Sequence, residues 1–234
     1  MSYNILFSYA HPDDETFLSA CLIHQLAEAG EPAALLLATR GDAGSKNGAF
    51  GHLTREQLGE LREEEMERAA RVLKLGQVTH LGFPDGKLAE VDPGSAVDAI
   101  AETVNRLQPS VVFTFPPDGC NYHPDHMAIS RLTTEAVVSG RCPSVRQLYY
   151  VMSGALHEEG RRPNLVIDTA PLWAMKAEAL RCHDSQILAI MRHFGPLETV
   201  LDDRRFEAFA LAWEQGAMWP EKSEAEARAA LRLP

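Results

Sequence analysis

The stretch Ile5-Leu6-Phe7-Ser8-Tyr9-Ala10-His11-Pro12-Asp13-Asp14-Glu15 decides the fold. Its first five residues, Ile5–Tyr9, are a short apolar run of the kind that forms a strand buried on both faces. From Asp14 the period changes. Leu18, Leu22, Leu26 and Ala29 recur on one helical stripe, and Gly30 stops the helix. A buried strand thus runs into a helix through a turn that carries a histidine and two aspartates. The same alternation continues along the chain. Ala33–Thr39 reads as a second buried strand, and Arg40–His52, with four glycines, as a loop. Thr54 caps a charged helix to about Leu75. Val78–Leu81 reads as a strand, Gly82–Gly86 as a turn, Ser95–Leu107 as a helix and Ser110–Phe115 as a strand. Pro124–Val138 follows as a helix, Gln147–Met152 and Leu165–Asp168 as later strands, Pro171–Cys182 and Glu221–Leu231 as helices. Strand–helix–strand alternation with buried strands predicts an α/β fold, a mostly parallel sheet with helices on both faces. Without a linker or a repeat, residues 1–234 read as a single domain.

In such sheets ligands bind beyond the carboxyl ends of the strands, and there the sequence repeats a motif. His11-Pro12-Asp13-Asp14 follows the first strand; His123-Pro124-Asp125-His126 follows the strand Ser110–Phe115. Proline suits the first helical position, where its missing N–H is not needed. Each histidine therefore sits at a strand-to-helix junction, with a second ligand three residues on, on the same side. Catalytic zinc takes three His or carboxylate ligands and leaves a position open. His11, Asp14 and His126 would supply that set, which suits Fe(II) as well. Asp13 and His123 are left beside the metal, where a carboxylate can take a proton from water and a histidine can stabilise an oxyanion or protonate a leaving amine. Asp125 could orient a histidine. One motif alone would be an ordinary helix cap; two at the ends of two strands of one sheet point to a metal site.

The paired motifs resemble the LmbE-like, PIG-L-type family of zinc-dependent N-deacetylases. Further elements are similar to the family's: Thr39-Arg40-Gly41-Asp42-Ala43-Gly44, the Arg-Glu helix around Leu61-Arg62-Glu63-Glu64-Glu65, the turn Leu81–Gly86, and His183-Asp184-Ser185-Gln186. The resemblance implies a Rossmann-like sheet and Zn2+, with Fe2+ as the other candidate. It implies His11, Asp14 and His126 as ligands, Asp13 as general base, and His123 as electrostatic or acid partner supported by Asp125. The expected reaction is hydrolysis of the amide of an N-acetylglucosamine conjugate or a related small N-acetyl compound. In it, water whose pKa the metal lowers to roughly 7 is deprotonated by Asp13. Either Asp13 or His123 then protonates the leaving amine. Arg62 is the expected substrate-gripping residue, with Asp42 a candidate for sugar hydroxyls. Asn121 stands where some family members carry a tyrosine, and Tyr122 is beside it as a substitute. Loops Arg40–His52 and Gly154–Arg162 are where specificity is expected.

Composition bounds the alternatives. Lys and Arg number 22 against 33 Asp and Glu, a net charge of −11, which argues against a nucleic-acid partner and a polybasic membrane anchor. No run of 18 apolar residues suggests a membrane span. The start Met1-Ser2-Tyr3-Asn4 has no signal-peptide pattern. Four scattered cysteines form neither a disulfide framework nor a zinc ribbon, so a reduced, cytoplasmic protein is expected. Nothing specifies the symmetry of a homo-oligomer, although such assembly is common in small α/β hydrolases. Two other functions compete: a non-catalytic metal-binding module, and a Rossmann-like sugar transferase. The transferase is disfavoured because His-Pro-Asp-Asp-Glu stands where Gly-x-Gly-x-x-Gly would be.

Overall fold

The computed structural model describes residues 2–46 and 48–233. The predicted start of the chain and the loop Arg40–His52 therefore each include one position, Met1 and Asn47, outside the described residues. The first strand, β1 (Ile5–Tyr9), is wholly buried, as its apolar run requires. It leads to α1 (Asp14–Glu28), then β2 (Ala34–Thr39), α2 (Arg55–Leu73), β3 (Gln77–Phe83), α3 (Pro93–Leu107), β4 (Val111–Thr114) and α4 (Pro124–Val138). The second half runs β5 (Gln147–Val151), α5 (Gly154–Glu158), β6 (Leu165–Asp168), α6 (Trp173–Cys182), α7 (Ile187–Phe194), β7 (Phe206–Glu214), β8 (Ala217–Met218) and α8 (Glu224–Ala230).

The sheet order is β3-β2-β1-β4-β5-β7-β6, with β8 on β7. Strands β1 to β5 pair parallel; β7 runs antiparallel between β5 and β6. Antiparallel β7 is the main departure from the sequence reading, which gave 206–214 no structure. Its residues alternate poorly, because Ala208–Trp213 is apolar almost throughout, and two strand neighbours rather than local pattern fix it. The order turns outward in both directions from the β1–β4 pair: β1 leads to β2 on one side, and β4 to β5 on the other. That is the switch point where α/β sheets open a crevice at the carboxyl ends of their strands, and both His-Pro-Asp motifs leave the sheet there.

Local chemistry sets the helix starts. Thr54 and Gln57 form a reciprocal capping box on α2. Asp92 caps α3, and the imidazole of His123 accepts the Asp125 amide at the start of α4. The predicted turn Gly82–Gly86 begins later than expected, since β3 extends to Phe83. The main core lies on both faces of the sheet, and a smaller apolar cluster joins Trp173, Leu180, Ile190 and Phe194. No helix among the described residues is long and apolar enough to cross a membrane.

Helix α1 carries an unusual internal tie. Lys176 of α6 and Glu207 of β7 form a 2.8 Å ion pair, both side chains 2% exposed. Lys176 also donates to the Phe17 carbonyl, and Glu207 accepts from the Cys21 and Leu22 amides. Phe17 O and Cys21 N are the two ends of one helical ladder step, so the pair grips α1 one turn beyond the histidine loop. Lys176→Ala strands a buried carboxylate and is expected to cost about 3–5 kcal/mol in urea unfolding. Lys176→Met with Glu207→Leu should lose much less, because the freed amides can return to the carbonyls four residues back.

Candidate active site

The two motifs meet. His11 comes from the turn after β1, and Asp14 from the first position of α1. His126 comes from the first turn of α4, reached from β4 through the Phe115–His123 loop. His11 Nδ1 lies 3.2 Å from His126 Nε2 and 3.6 Å from Asp14 Oδ2, and Asp14 Oδ1 lies 3.4 Å from His126 Nε2. Ligands roughly 2.0–2.2 Å from a tetrahedral cation stand roughly 3.3–3.6 Å from one another, so the spacing fits a metal. Protonation fits too. His126 Nδ1 faces the Gly119 carbonyl at 3.1 Å, and a carbonyl only accepts, so Nδ1 carries the proton. His11 Nε2 faces Asp85 at 3.1 Å and Asp125 at 3.3 Å, so it donates there. The remaining nitrogens, His11 Nδ1 and His126 Nε2, face each other and the Asp14 carboxylate, and a cation held there would take the place of the proton between them. Carboxylate and carbonyl partners behind metal-ligating imidazoles are the usual means of fixing their tautomers.

Two other groupings have donors close enough to hold an ion, His11–His123–His126 and His11–Asp85–Asp125. The second uses the face of His11 that donates to those carboxylates, and both Asp125 oxygens also accept amides, from Gly86 at 2.7 Å and Leu88 at 3.0 Å. In the His11–Asp14–His126 set, Asp14 Oδ2 accepts the Ala10 and His11 amides at 3.1 and 2.8 Å, while Oδ1 faces His126 Nε2, which in turn faces His11 Nδ1.

The charges in the site follow from this packing. Burial lowers the His11 pKa, but hydrogen bonds to Asp125, Asp14 and Asp85 outweigh it and hold the imidazole well above its ordinary range without a metal. Burial would raise Asp14, yet His126 and His11 hold it well below the usual carboxylate range. Asp13 goes the other way: burial pushes its carboxyl up to about 6, against the pull of Arg62.

Around the cluster lies a cavity of about 420 Å³, in the range of small-molecule sites. Asp13, Arg62, Asn121 and His123 line it, as do Phe17, Leu18, Asp85, Gln186 and His193. The His123 ring stands 5.0 Å from that of His11 and 4.7 Å from that of His126. Its Nδ1 accepts the Asp125 amide, so Nε2 carries the proton and is the donor left for a reactant. Arg62 is 3% exposed, not a solvated helix residue. It donates to the Gly41 and Pro12 carbonyls and, at 3.0 Å, to Asp13 Oδ2. Its Nε is buried with no partner among the described residues. Gly41 is constrained by this: a Cβ there would stand 2.3 Å from the guanidinium.

Several expectations need correction. The Asp125 carboxylate does not support His123; it is fully buried and turned to His11 and the Gly86 and Leu88 amides. Only its backbone meets His123. Asp42 does not line the cavity, because its carboxylate pairs outward with Arg55 at 3.2 Å. Tyr122 is 68% exposed and also lies outside the cavity lining, since its backbone, at φ 61°, follows a tight turn. The segment Gly154–Arg162 contains α5 and contributes nothing to the cavity, whereas Ala43 and Gly44 of the glycine-rich loop do. Sequence reasoning passed over Asp85, although it stands in the quoted Phe83-Pro84-Asp85-Gly86 turn. His193, which belongs to no motif in the sequence, also lines the cavity, its ring 5.4 Å from that of Phe17.

Comparison with known proteins agrees with this geometry. The family model described as PIG-L, GlcNAc-PI de-N-acetylase, matches residues 6–137, which include both motifs. A probable N-acetyl-alpha-D-glucosaminyl L-malate deacetylase 2 of Bacillus anthracis is 31% identical over 186 residues, 78% of this chain and 81% of the relative. Two solved structures share the fold at low identity. An N,N'-diacetylchitobiose deacetylase of Pyrococcus horikoshii superposes with a TM-score of 0.70 at 21% identity, covering 88% of this chain and 82% of that one. A 4-carboxy-2-hydroxymuconate hydratase of Pseudomonas putida reaches 0.67 at 18%, covering 94% and 100%. One architecture thus serves two chemistries, and the fold alone does not name the reaction. More than half of the chain, with both histidine motifs, matches one family model, and the chain belongs to the PIG-L, GlcNAc-PI de-N-acetylase, family.

Proposed function

We propose that the protein is a zinc-dependent hydrolase that removes the acetyl group from an N-acetylglucosamine conjugate or a related small N-acetyl compound. Its family and its Bacillus anthracis relative are de-N-acetylases. The observation that carries the metal and the residue roles is the convergence of His11 Nδ1, Asp14 and His126 Nε2, with Asp13 and His123 on the cavity wall beside them. His11, Asp14 and His126 would hold the ion. A divalent cation there supplies Lewis acidity, which makes water acidic enough to yield its proton near neutral pH and polarises the acetyl carbonyl.

The protein's own groups do the rest. Arg62 occupies Oδ2 of Asp13 and leaves Oδ1 to take a proton from the attacking water. His123 offers its Nε2 proton to the carbonyl oxygen as charge develops on it. Asp125 and Asp85 fix the ring of His11, and Arg62 and Asn121 reach the cavity as substrate contacts. The leaving amine takes a proton from Asp13 or His123. The decisive experiment measures acetate release over a panel of N-acetylglucosamine conjugates with metal content determined on the same sample. Metal without acetate release from any conjugate would point to a binding module instead. Arg62→Lys tests the substrate side: a lysine cannot grip Gly41, Pro12 and Asp13 together, so kcat/KM should fall ~10-fold or more, through misplacement of both base and substrate.

A further inference from the structure

We propose that the buried Glu15–His183 pair is a positioning device that holds the Asp13 backbone in a left-handed conformation and so aims its carboxylate into the cavity. The inference rests on the deacetylase reading for the role of Asp13, and assigns two residues outside the cavity to it.

Asp13 has φ 117° and ψ −30°. Side chains other than glycine rarely adopt such a φ, and a conformation of this kind persists only where its surroundings over-determine it. The peptide between Pro12 and Asp13 shows how. Its carbonyl, on Pro12, accepts from Arg62. Its N–H, on Asp13, donates to Glu15 Oε2 at 3.1 Å. Both polar groups of one peptide plane are therefore gripped from opposite sides, and the orientation of that plane sets the φ of Asp13.

Glu15 is itself immobilised. It is fully buried, and its other oxygen accepts from Thr16 Oγ1 at 2.5 Å and from His183 Nε2 at 3.2 Å. Thr16 Oγ1 and His183 Nε2 lie 3.2 Å apart, which closes a triangle. His183 follows α6, is 0% exposed, and has no partner at Nδ1 among the described residues. A buried carboxylate and a half-satisfied buried imidazole are costly features. The turn bearing His183 is anchored in its own right: Ser185 donates both its amide and its hydroxyl to Glu65, each at 2.7 Å. Glu65 lies three residues beyond Arg62 on α2, so the two grips on the Pro12–Asp13 peptide hang from one helix.

Two measurements test this, and one needs no activity. In the otherwise unchanged protein, Asp13→Gly should melt higher than Asp13→Ala, because glycine accepts the left-handed backbone. In a His183→Leu background that advantage should shrink, since Glu15 is then no longer pinned and Arg62 alone holds the Pro12–Asp13 peptide firmly. An equal advantage in both backgrounds overturns the proposal. In turnover, His183→Leu should lower kcat ~10-fold or more with KM and metal content unchanged. His183→Gln, whose amide N–H can reach Glu15, should restore most of it, and His183→Asn, too short to reach, should not. Wild-type kcat in a folded, metal-loaded His183→Leu protein also overturns the proposal. If His183→Leu does not fold, the Gln and Asn variants carry both comparisons. If the wild-type protein releases no acetate from any conjugate, the deacetylase reading fails, while the melting comparison still decides whether the pair constrains Asp13.

Discussion

Asp13→Asn is expected to lower kcat by ~10²-fold or more while the bound metal stays at its wild-type level. The amide has the size of the carboxylate and can still accept from Arg62, so the local packing is kept. It cannot take a proton from water. Asp14 is the residue whose oxygens face His11 and His126, and Asp13 meets neither imidazole at ligand distance. Loss of turnover without loss of metal therefore separates the two adjacent aspartates by function. KM should change little, because the missing interaction belongs to the transition state. The paired measurement is single-turnover acetate release with metal content by elemental analysis. A variant that keeps both its metal and its turnover would sink the general-base assignment, and one that loses its metal would move Asp13 into the ligand set.

The histidine cluster was legible in the sequence because both motifs sit at strand-to-helix junctions. There, strand direction and the i, i+3 helical spacing decide which way side chains point. Asp13, Asp14 and His126 needed nothing more. The same local logic failed where a contact depends on the path of a distant segment. Asp125 was assigned to His123, two residues away, yet its carboxylate faces His11, 114 residues away in sequence. Asp85 reaches His11 only because β3 lies two strands from β1 and its following turn folds back across the crevice. His183 stood in a quoted motif, but its partner Glu15 is 168 residues distant. Residues 206–214 showed no strand pattern because both faces of β7 are covered from Phe209 to Trp213, so alternation between a wet and a dry face never arises there. Adjacency in sequence predicted which side chains would meet; it could not predict what stands behind them.

Removing the metal should abolish turnover, and reloading it should release about one proton per site at neutral pH. Without a cation, His11 is held well above its ordinary pKa by Asp125, Asp14 and Asp85, so it keeps a second proton, on Nδ1. That nitrogen is the atom facing Asp14 and His126, and a metal can bind it only after the proton leaves. The sign follows: affinity is greatest above the metal-free pKa of His11 and weakens as pH falls below it, ~10-fold per unit while one proton is displaced. Calorimetric titration of the chelated protein in buffers of different ionisation enthalpy reads the proton count directly. His126→Ala leaves Asp14 with one fewer neighbour and the ion with two ligands. It should lose nearly all metal and all turnover, while far-ultraviolet dichroism stays that of the folded sheet. Metal uptake that releases no proton would mean that His11 meets the ion through a different nitrogen or not at all, and retention of metal by His126→Ala would exclude the His11–Asp14–His126 site.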